Sequence, residues 1–283
     1  MTGPATAGRR LRDRLREIRL DTGLSEAAVG QALGWPHTRL PGIETGKASI
    51  GLGSLRSLLA HYRITQTDQI DQLVDLQRSA RQRHWADAYR QSYSPPFLEF
   101  LRLETDARHI LCFHPRAVPG LLQTEAYARA IIQTTTPHPI TRRDVETRVK
   151  ARMRRQSAIL TADRRIQVAL TEPALLRPVG HDHTILTAQL DRLITLAQRS
   201  QVDLTLIPAG CDIPTGVGPF VVLHFDSDQD PDLVYRDDAP PNTALLDDPA
   251  TVERYQTTFT ELRAHQSQQT AARLAEIREQ ISP

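Results

Sequence analysis

Three glycines, at positions 23, 34 and 46, cut residues 9–63 into segments too short to be stable helices alone, and this punctuation constrains the fold more than any other feature of the chain. The first segment, RRLRDRLREIRL (9–20), spaces Leu11, Leu15 and Ile18 three to four residues apart with arginines on the other faces, the pattern of an amphipathic helix. Gly23 stops it. Ser25 suits the N-cap of a second helix through Leu33, and Gly34 supplies the left-handed residue of a tight turn. Pro36 fits the first position of a third helix that reaches Glu44 and stops at Gly46. Leu52, Leu55, Leu58 and Leu59 mark a fourth, ending near Tyr62. Isolated helices shorter than about 12–15 residues are marginal in water. These segments must therefore share one small core of leucines and isoleucines, Ile43 included. An all-α bundle over residues 1–65, with a helix-turn-helix at its centre, is the expected result.

Charge is distributed unevenly along the 283 residues. Residues 1–65 hold ten basic side chains against five acidic ones, a surplus of five that suits contact with phosphates, although the arginines of the first helix suit a solvated face equally well. Residues 161–283 hold ten arginines against eighteen Asp and Glu, a deficit of eight hidden within a whole-chain charge of +2. Nucleic acid belongs at the basic end. At a soft prior of about 150 residues per domain, the length implies two domains. Neither end has a signal-peptide pattern and no apolar run approaches the roughly 18–20 residues of a membrane span, so the cytoplasm is the expected location, with no membrane partner. Cys112 and Cys211 are too few and too far apart for a disulfide framework and read as buried thiols.

The stretch LRDRLREIRLDTGLSEAAVGQALGWPHTRLPGIETGKASI (11–50) resembles the XRE, phage repressor-like helix-turn-helix family, in which the third helix of such a bundle lies in the major groove. Leu11, Leu15, Gly23-Leu24-Ser25, Leu33-Gly34, Ile43-Glu44 and Gly46-Lys47 match its framework. The contact positions depart from it. Glu26 stands where the family carries Gln beside a phosphate, and Pro36-His37-Thr38-Arg39-Leu40-Pro41-Gly42-Ile43-Glu44 replaces a usual Ser-x-Ser-x-Ile-Ser-Arg-Ile-Glu. Inside a helix Pro41 would cost roughly 3 kcal/mol and Gly42 about 1 kcal/mol relative to Ala. Two readings follow. In one, Trp35, His37, Thr38, Arg39 and Lys47 contact double-stranded DNA from a shortened helix; in the other, the fold persists as a packing or dimerisation platform with weakened or lost reading.

Residues 66–92 read as a long polar helix, with Ile70, Leu73, Leu76, Ala80, Trp85 and Tyr89 at helical spacing. This is a connector, closed by Ser94-Pro95-Pro96, because a residue before proline is pushed out of helical geometry. Beyond it, residues 95–283 alternate strand-like and helix-like pieces. Strands are expected at 108–114, 166–170, 202–207, 220–225 and 233–235, with helices opened by Pro119-Gly120 and at 142–160, 183–199, 249–263 and 267–281. The helix at 142–160 is strongly basic and reads first as a solvated face. The fold class is multi-domain: an all-α helix-turn-helix bundle, then an α+β domain with a small, mostly antiparallel sheet carrying helices.

Five motifs in order, FHPRAVPGLLQTEAYARAII, TEPALLRPVG, DLTLIPAG, GPFVVLHF and DPDLVY, resemble the antitoxin-like C-terminal domain of XRE regulators from high-GC Gram-positive bacteria over residues 97–280. That resemblance implies an effector domain that senses a ligand or binds a small partner protein. Within the motifs, Gln123, Glu172 and Arg177, with Glu125, are candidates for lining a pocket, or for structural ion pairs. His181-Asp182-His183 and His109, Cys112 and His114 have metal-like spacings, but alternation across a strand turns His109 away from the other two, and Asp182 suits an N-cap. No catalytic motif, metal site or cofactor signature is recognisable. Three functions compete: a homodimeric transcription factor on a short palindrome; a repurposed protein whose C-terminal pocket binds or acts on a small molecule; and an antitoxin-like interaction module.

Overall fold

A computed structural model describes residues 3–135, 139–176, 179, 183–213, 217–236, 244–265 and 269–281, and divides the chain into two units, Met1–His84 and Trp85–Pro283. The first contains α1 (Pro4–Asp21), α2 (Glu26–Ala32), α3 (Arg39–Glu44), α4 (Leu52–His61) and α5 (Thr67–Ala80). Gly23, Gly34 and Gly46 have φ of +68°, +64° and +76°, the left-handed conformation that glycine reaches without a Cβ clash. Ser25 caps α2 by accepting the Ala28 N–H at 3.2 Å. Leu15, Leu40, Ile43, Leu55, Leu58 and Leu59 are buried at the centre, as the sequence expectation of a shared core requires.

The stretch 66–92 is not one helix. It breaks into α5 and a 3₁₀ turn at Trp85–Tyr89. Leu73 and Val74 of α5 join the core of the first unit, and the buried Gln77 donates from Nε2 to the Ile50 carbonyl at 3.0 Å, fastening α5 to the loop before α4. An apolar stripe of this kind buries itself against the nearest bundle instead of spanning solvent.

After that turn, the second unit runs α6 (Pro95–Asp106), β1 (His109–His114), α7 (Glu125–Thr135), α8 (Arg142–Leu160), β2 (Arg165–Thr171), α9 (Glu172–Leu176) and α10 (His183–Ala197). It continues through β3 (Val202–Ile207), β4 (Phe220–His224), β5 (Leu233–Arg236), β6 (Ala244–Leu246), α11 (Pro249–Ala264) and α12 (Thr270–Ile281). The Ser94-Pro95-Pro96 tract opens α6, with proline in the first helical turn where its missing N–H costs nothing. The helix after Pro119-Gly120 starts only at Glu125.

The sheet order is β3-β2-β1-β4-β5-β6. Three of the five pairings are antiparallel, so the mostly antiparallel expectation holds, but β1–β2 and β2–β3 are parallel, each joined through helices. Alternation divides β1 cleanly. Leu111 and Phe113 enter an apolar cluster with Val252, Phe259 and Leu262 of α11. Cys112 and His114 point to the opposite face, where Tyr235, two strands away, stacks on Phe100 of α6 at 4.1 Å between centroids.

Candidate functional site

Regular α-helix at the reading segment begins at Arg39, not at Pro36; before it, the Arg39 N–H donates to the Pro36 carbonyl at 2.9 Å in a turn. Pro41 is therefore the third residue of α3. The N–H groups of a helix's first turn have no intrahelical acceptor, so the penalty of a helix-interior proline does not apply. Helical bonding starts one residue later, from the Gly42 N–H to the Thr38 carbonyl at 3.0 Å. At Gly42 an added Cβ would lie 3.3 Å from the Ala48 Cβ, and Ala48 N–H donates to the Gly42 carbonyl at 2.8 Å. The chain leaving α3 thus folds back over position 42, so a side chain there would meet Ala48 before it met a groove.

Below this surface, Arg19 of α1 holds Glu44 at the end of α3 through Nε–Oε1 and Nη2–Oε2 contacts of 2.7 Å each, and donates from Nη1 to the Leu24 carbonyl at 3.1 Å. Both side chains are almost wholly buried, 9% and 3% exposed. Bidentate Arg–carboxylate pairs fix geometry in two directions, so Arg19 is a strut between α1 and α3 and not part of a solvated arginine face. Glu26 adds a carboxylate 3.7 Å from Arg19 Nη2 in the first turn of α2, where a helix favours negative charge.

Of the residues proposed to meet DNA, His37, Thr38 and Lys47 are exposed and flank α3 in sequence. Trp35 is half-buried against the core of the bundle. Arg39 lies with Cζ 4.5 Å from the centroid of the Trp35 ring and donates from Nη2 to Ser54 Oγ at 2.8 Å, which orients its guanidinium through stacking and one hydrogen bond.

The second unit holds a cavity of about 520 Å³ at the end of β1. Phe97 and Phe100 of α6, with Tyr235 of β5, form an aromatic wall, and Phe113 and Phe220 line another side. Arg116, Arg152 and Arg155 also line it, with no Asp or Glu among its described lining residues. Arg155 is matched from behind by Glu104, buried at 1% exposure, through two contacts of 2.6 Å. His114 projects into the cavity with its Nδ1 closed off from solvent and without a hydrogen-bond partner. Burial, and then the positive charges of Arg116 and Arg152, push its imidazole down to about 4, so the ring is neutral near pH 7.

One wall of this cavity is the segment 118–124, pinned from two helices. Gln123 donates from Nε2 to the Val118 carbonyl at 2.7 Å and accepts from Arg152 Nη1 at 2.7 Å. Gln156 of α8 donates to the Gly120 and Gln123 carbonyls at 2.8 Å each. Gln189 of α10 donates to the Leu122 carbonyl at 3.0 Å and accepts the Thr124 N–H at 2.7 Å. Buried backbone groups of an irregular loop require such partners. At Gly120 a Cβ would press on Arg152 Nε at 3.3 Å and Arg155 Nη1 at 3.4 Å, so the absence of a side chain lets the two guanidiniums lie across the loop. The basic helix read as a solvated face therefore turns Arg148, Arg152 and Arg155 inward; only residues such as Arg142, Arg143, Lys150 and Arg154 are exposed.

The structure does not bring the ligand candidates together. Gln123 lines the cavity; Glu172 does not, and instead pairs with Arg273 of α12 at 2.7 and 3.2 Å, which holds its carboxyl below the usual range. Arg177 lies outside the described residues, as do His181 and Asp182. Glu125 pairs with Arg129 at 2.8 Å. Sequence reasoning missed Arg116, Arg152 and Arg155, and weighed His114 only as a metal ligand. Two signals were available: Cys112 and His114 share a strand face, and Arg148, Arg152 and Arg155 recur at helical spacing beside the apolar Val145 and Val149. Among the described residues no three His, Cys, Asp or Glu side chains are arranged to hold a metal. Both cysteines are free thiols, Cys112 buried and Cys211 half-buried. No described helix is long and apolar enough to cross a membrane.

Comparison with known families agrees with this division into two units. A helix-turn-helix domain model matches residues 10–73, which gives the first unit the architecture of a DNA-binding regulator. No curated protein and no solved structure matches the chain. The model for a domain of unknown function, DUF5753, matches residues 97–276, nearly two thirds of the sequence and all of the elements that build the cavity. The chain therefore belongs to the DUF5753 family and joins that domain to an N-terminal helix-turn-helix.

Proposed function

We propose that this chain is a cytoplasmic, homodimeric transcriptional regulator of the XRE type, with a DNA-binding module, a connector and an effector domain that answers a small-molecule ligand. The observation that carries the DNA-binding half is the position of Pro41 in the first turn of α3. There it leaves the helix intact, with Leu40 and Ile43 seated in the core and Arg19 bracing Glu44. His37, Thr38 and Lys47 then lie exposed on either side of α3, and Arg39 is oriented by Trp35 and Ser54. Dimerisation follows from selectivity, since one such module seldom makes enough base contacts alone and paired half-sites supply the rest. Ligand response is supported by the cavity, whose size and mixture of aromatic wall and few convergent polar groups match small-molecule sites.

Fluorescence anisotropy of the full-length protein against its own upstream promoter DNA and a scrambled duplex, at low and near-physiological salt, tests the reading. Tight binding that prefers the promoter and survives salt is expected. Lys47→Ala should weaken both duplexes and lower the salt slope by about 1, whereas His37→Ala should reduce the preference between them. Weak, salt-labile and equal binding would instead favour the repurposed reading, in which the C-terminal cavity carries the function and DNA reading has been given up. Gly42, which presents no side chain to a groove, is the residue that favours that alternative.

A further inference from the structure

We propose that the outward face of α8 is a second contact surface for duplex DNA, where Arg143, Lys150 and Arg154 bind phosphates without reading sequence. This rests on the reading that the first unit binds DNA, and gives the second unit a share in that binding. The three residues form a straight line. At about 100° per residue, Lys150 and Arg154 fall within about 20° on either side of Arg143, and the helical rise spreads the three over about 16 Å. All three are exposed, and none of their side chains has a hydrogen-bond or ion-pair partner among the described residues. The two carboxylates of α8 are engaged elsewhere. Asp144, in the first turn, accepts from Thr141 Oγ1 at 2.7 Å, and Glu146 pairs with Arg129 of α7.

Charge chooses a polyanion. Arg148, Arg152 and Arg155 turn inward on α8, so the positive charge left outside serves no contact of the fold. Like charges one turn apart, as at Lys150 and Arg154, repel, and a line of phosphates relieves that repulsion. The stripe is not part of a generally basic surface, because residues 161–283 carry ten arginines against eighteen Asp and Glu. Composition separates DNA from a protein partner. Protein interfaces are anchored by large apolar side chains that become buried, yet among the described residues the exposed large apolar side chains are Leu20 and Leu176, neither of them on α8. Ser157 is exposed about 40° from the line and adds a hydroxyl of the kind that meets phosphate oxygens. A duplex carries one charge per about 1.7 Å of its axis, so a stripe of this length meets several phosphates whatever its register. The buried Val145, Val149 and Ile159 seat α8 on its other side, which fixes the stripe before DNA arrives.

The test follows DNA affinity against salt by fluorescence anisotropy, using the full-length protein with long promoter and scrambled duplexes at about 50 to 200 mM salt. Combining Arg143→Gln, Lys150→Gln and Arg154→Gln should lower the salt slope by about 2 to 3, since each phosphate contact contributes about 0.9. Both duplexes should weaken equally, by about tenfold or more. Arg143→Lys with Arg154→Lys should keep the slope, because the contact needs charge and not a planar fork. The replaced side chains are exposed, so the fold does not depend on them, and the mass by light scattering should stay that of the wild type. An unchanged slope in the triple variant, as a merely solvated face would give, overturns the proposal. A changed mass also overturns it, and assigns the stripe to contact between copies of this chain. Promoter preference separates this from the wider reading. Slopes that differ while the wild type shows no preference leave the stripe standing and remove the specific regulator; intact preference with equal slopes removes the stripe and leaves the regulator.

Discussion

His114 offers the sharpest test of the second unit, because one side chain there couples the cavity to stability. Its imidazole falls from an ordinary 6.5 to about 4, through burial first and then the charges of Arg116 and Arg152. A folded value below the unfolded one means that the unfolded chain holds the proton more tightly between the two. The neutral ring therefore costs nothing above about pH 6.5, and stability falls as pH drops from there through about 4, below which the loss is complete. A gap of about 2.5 units at 1.36 kcal/mol per unit gives about 3 kcal/mol. His114→Leu keeps the volume and removes the titration. Urea denaturation near-UV curves at about pH 7.5 and about pH 4.5, taken on both proteins, isolate the term, since His109 and the carboxylates titrate in each and cancel in the difference. Wild type should lose about 2.5 kcal/mol more than the variant over that interval. Equal losses would mean that His114 is solvated in the folded state and that its Nδ1 is not enclosed.

In the first unit, Glu44→Ala leaves Arg19 buried with only Glu26 at 3.7 Å, and breaking a buried pair costs about 3–5 kcal/mol. A helical circular-dichroism melt should fall by on the order of 10 °C or more, and a change of a degree or two would show the pair to be solvated. Arg63, at φ +58° after α4, occupies a left-handed position that suits glycine, so Arg63→Gly should stabilise the bundle by up to about 1 kcal/mol; a lower melting temperature would refute the strain. Restoring the family residues with Pro41→Ser and Gly42→Arg sets about 1 kcal/mol of helix propensity gained at position 42 against a Cβ contact of 3.3 Å with Ala48, so adding Ala48→Gly should raise the melting temperature of the double variant. Failure of that rescue would remove the crowding argument.

What the sequence disclosed and what it hid divide along the distance between interacting residues. The leucine stripe of α1, the three glycine stops and the Ser25 cap are local, and each depends on neighbours within about one turn, so reading them needed no tertiary knowledge. The start of α3 was missed for a local reason of another kind: Pro36 satisfies the first-turn rule equally well in a helix or in the turn that precedes one. α6 was missed because Pro95-Pro96 was read only as a stop, although the same ring that ends a helix begins the next. β6 has three residues, all half-buried, too few to show a period. The parallel pairs were not legible because strand direction is set by the crossover helices and not by the strands.

The cavity is the extreme case. Arginines at 148, 152 and 155 have the same spacing whether they face water or protein, and only their partners decide. Arg155 finds Glu104 51 positions earlier, Arg152 finds Gln123 29 positions earlier, and Glu172 finds Arg273 101 positions later. Each of these pairs brings together two side chains that are costly to bury alone. A sequence that places several such charges inside must therefore have folded around their partners, and the arginine run of α8, which looks like a solvated face in one dimension, is in three dimensions the polar rim of the site.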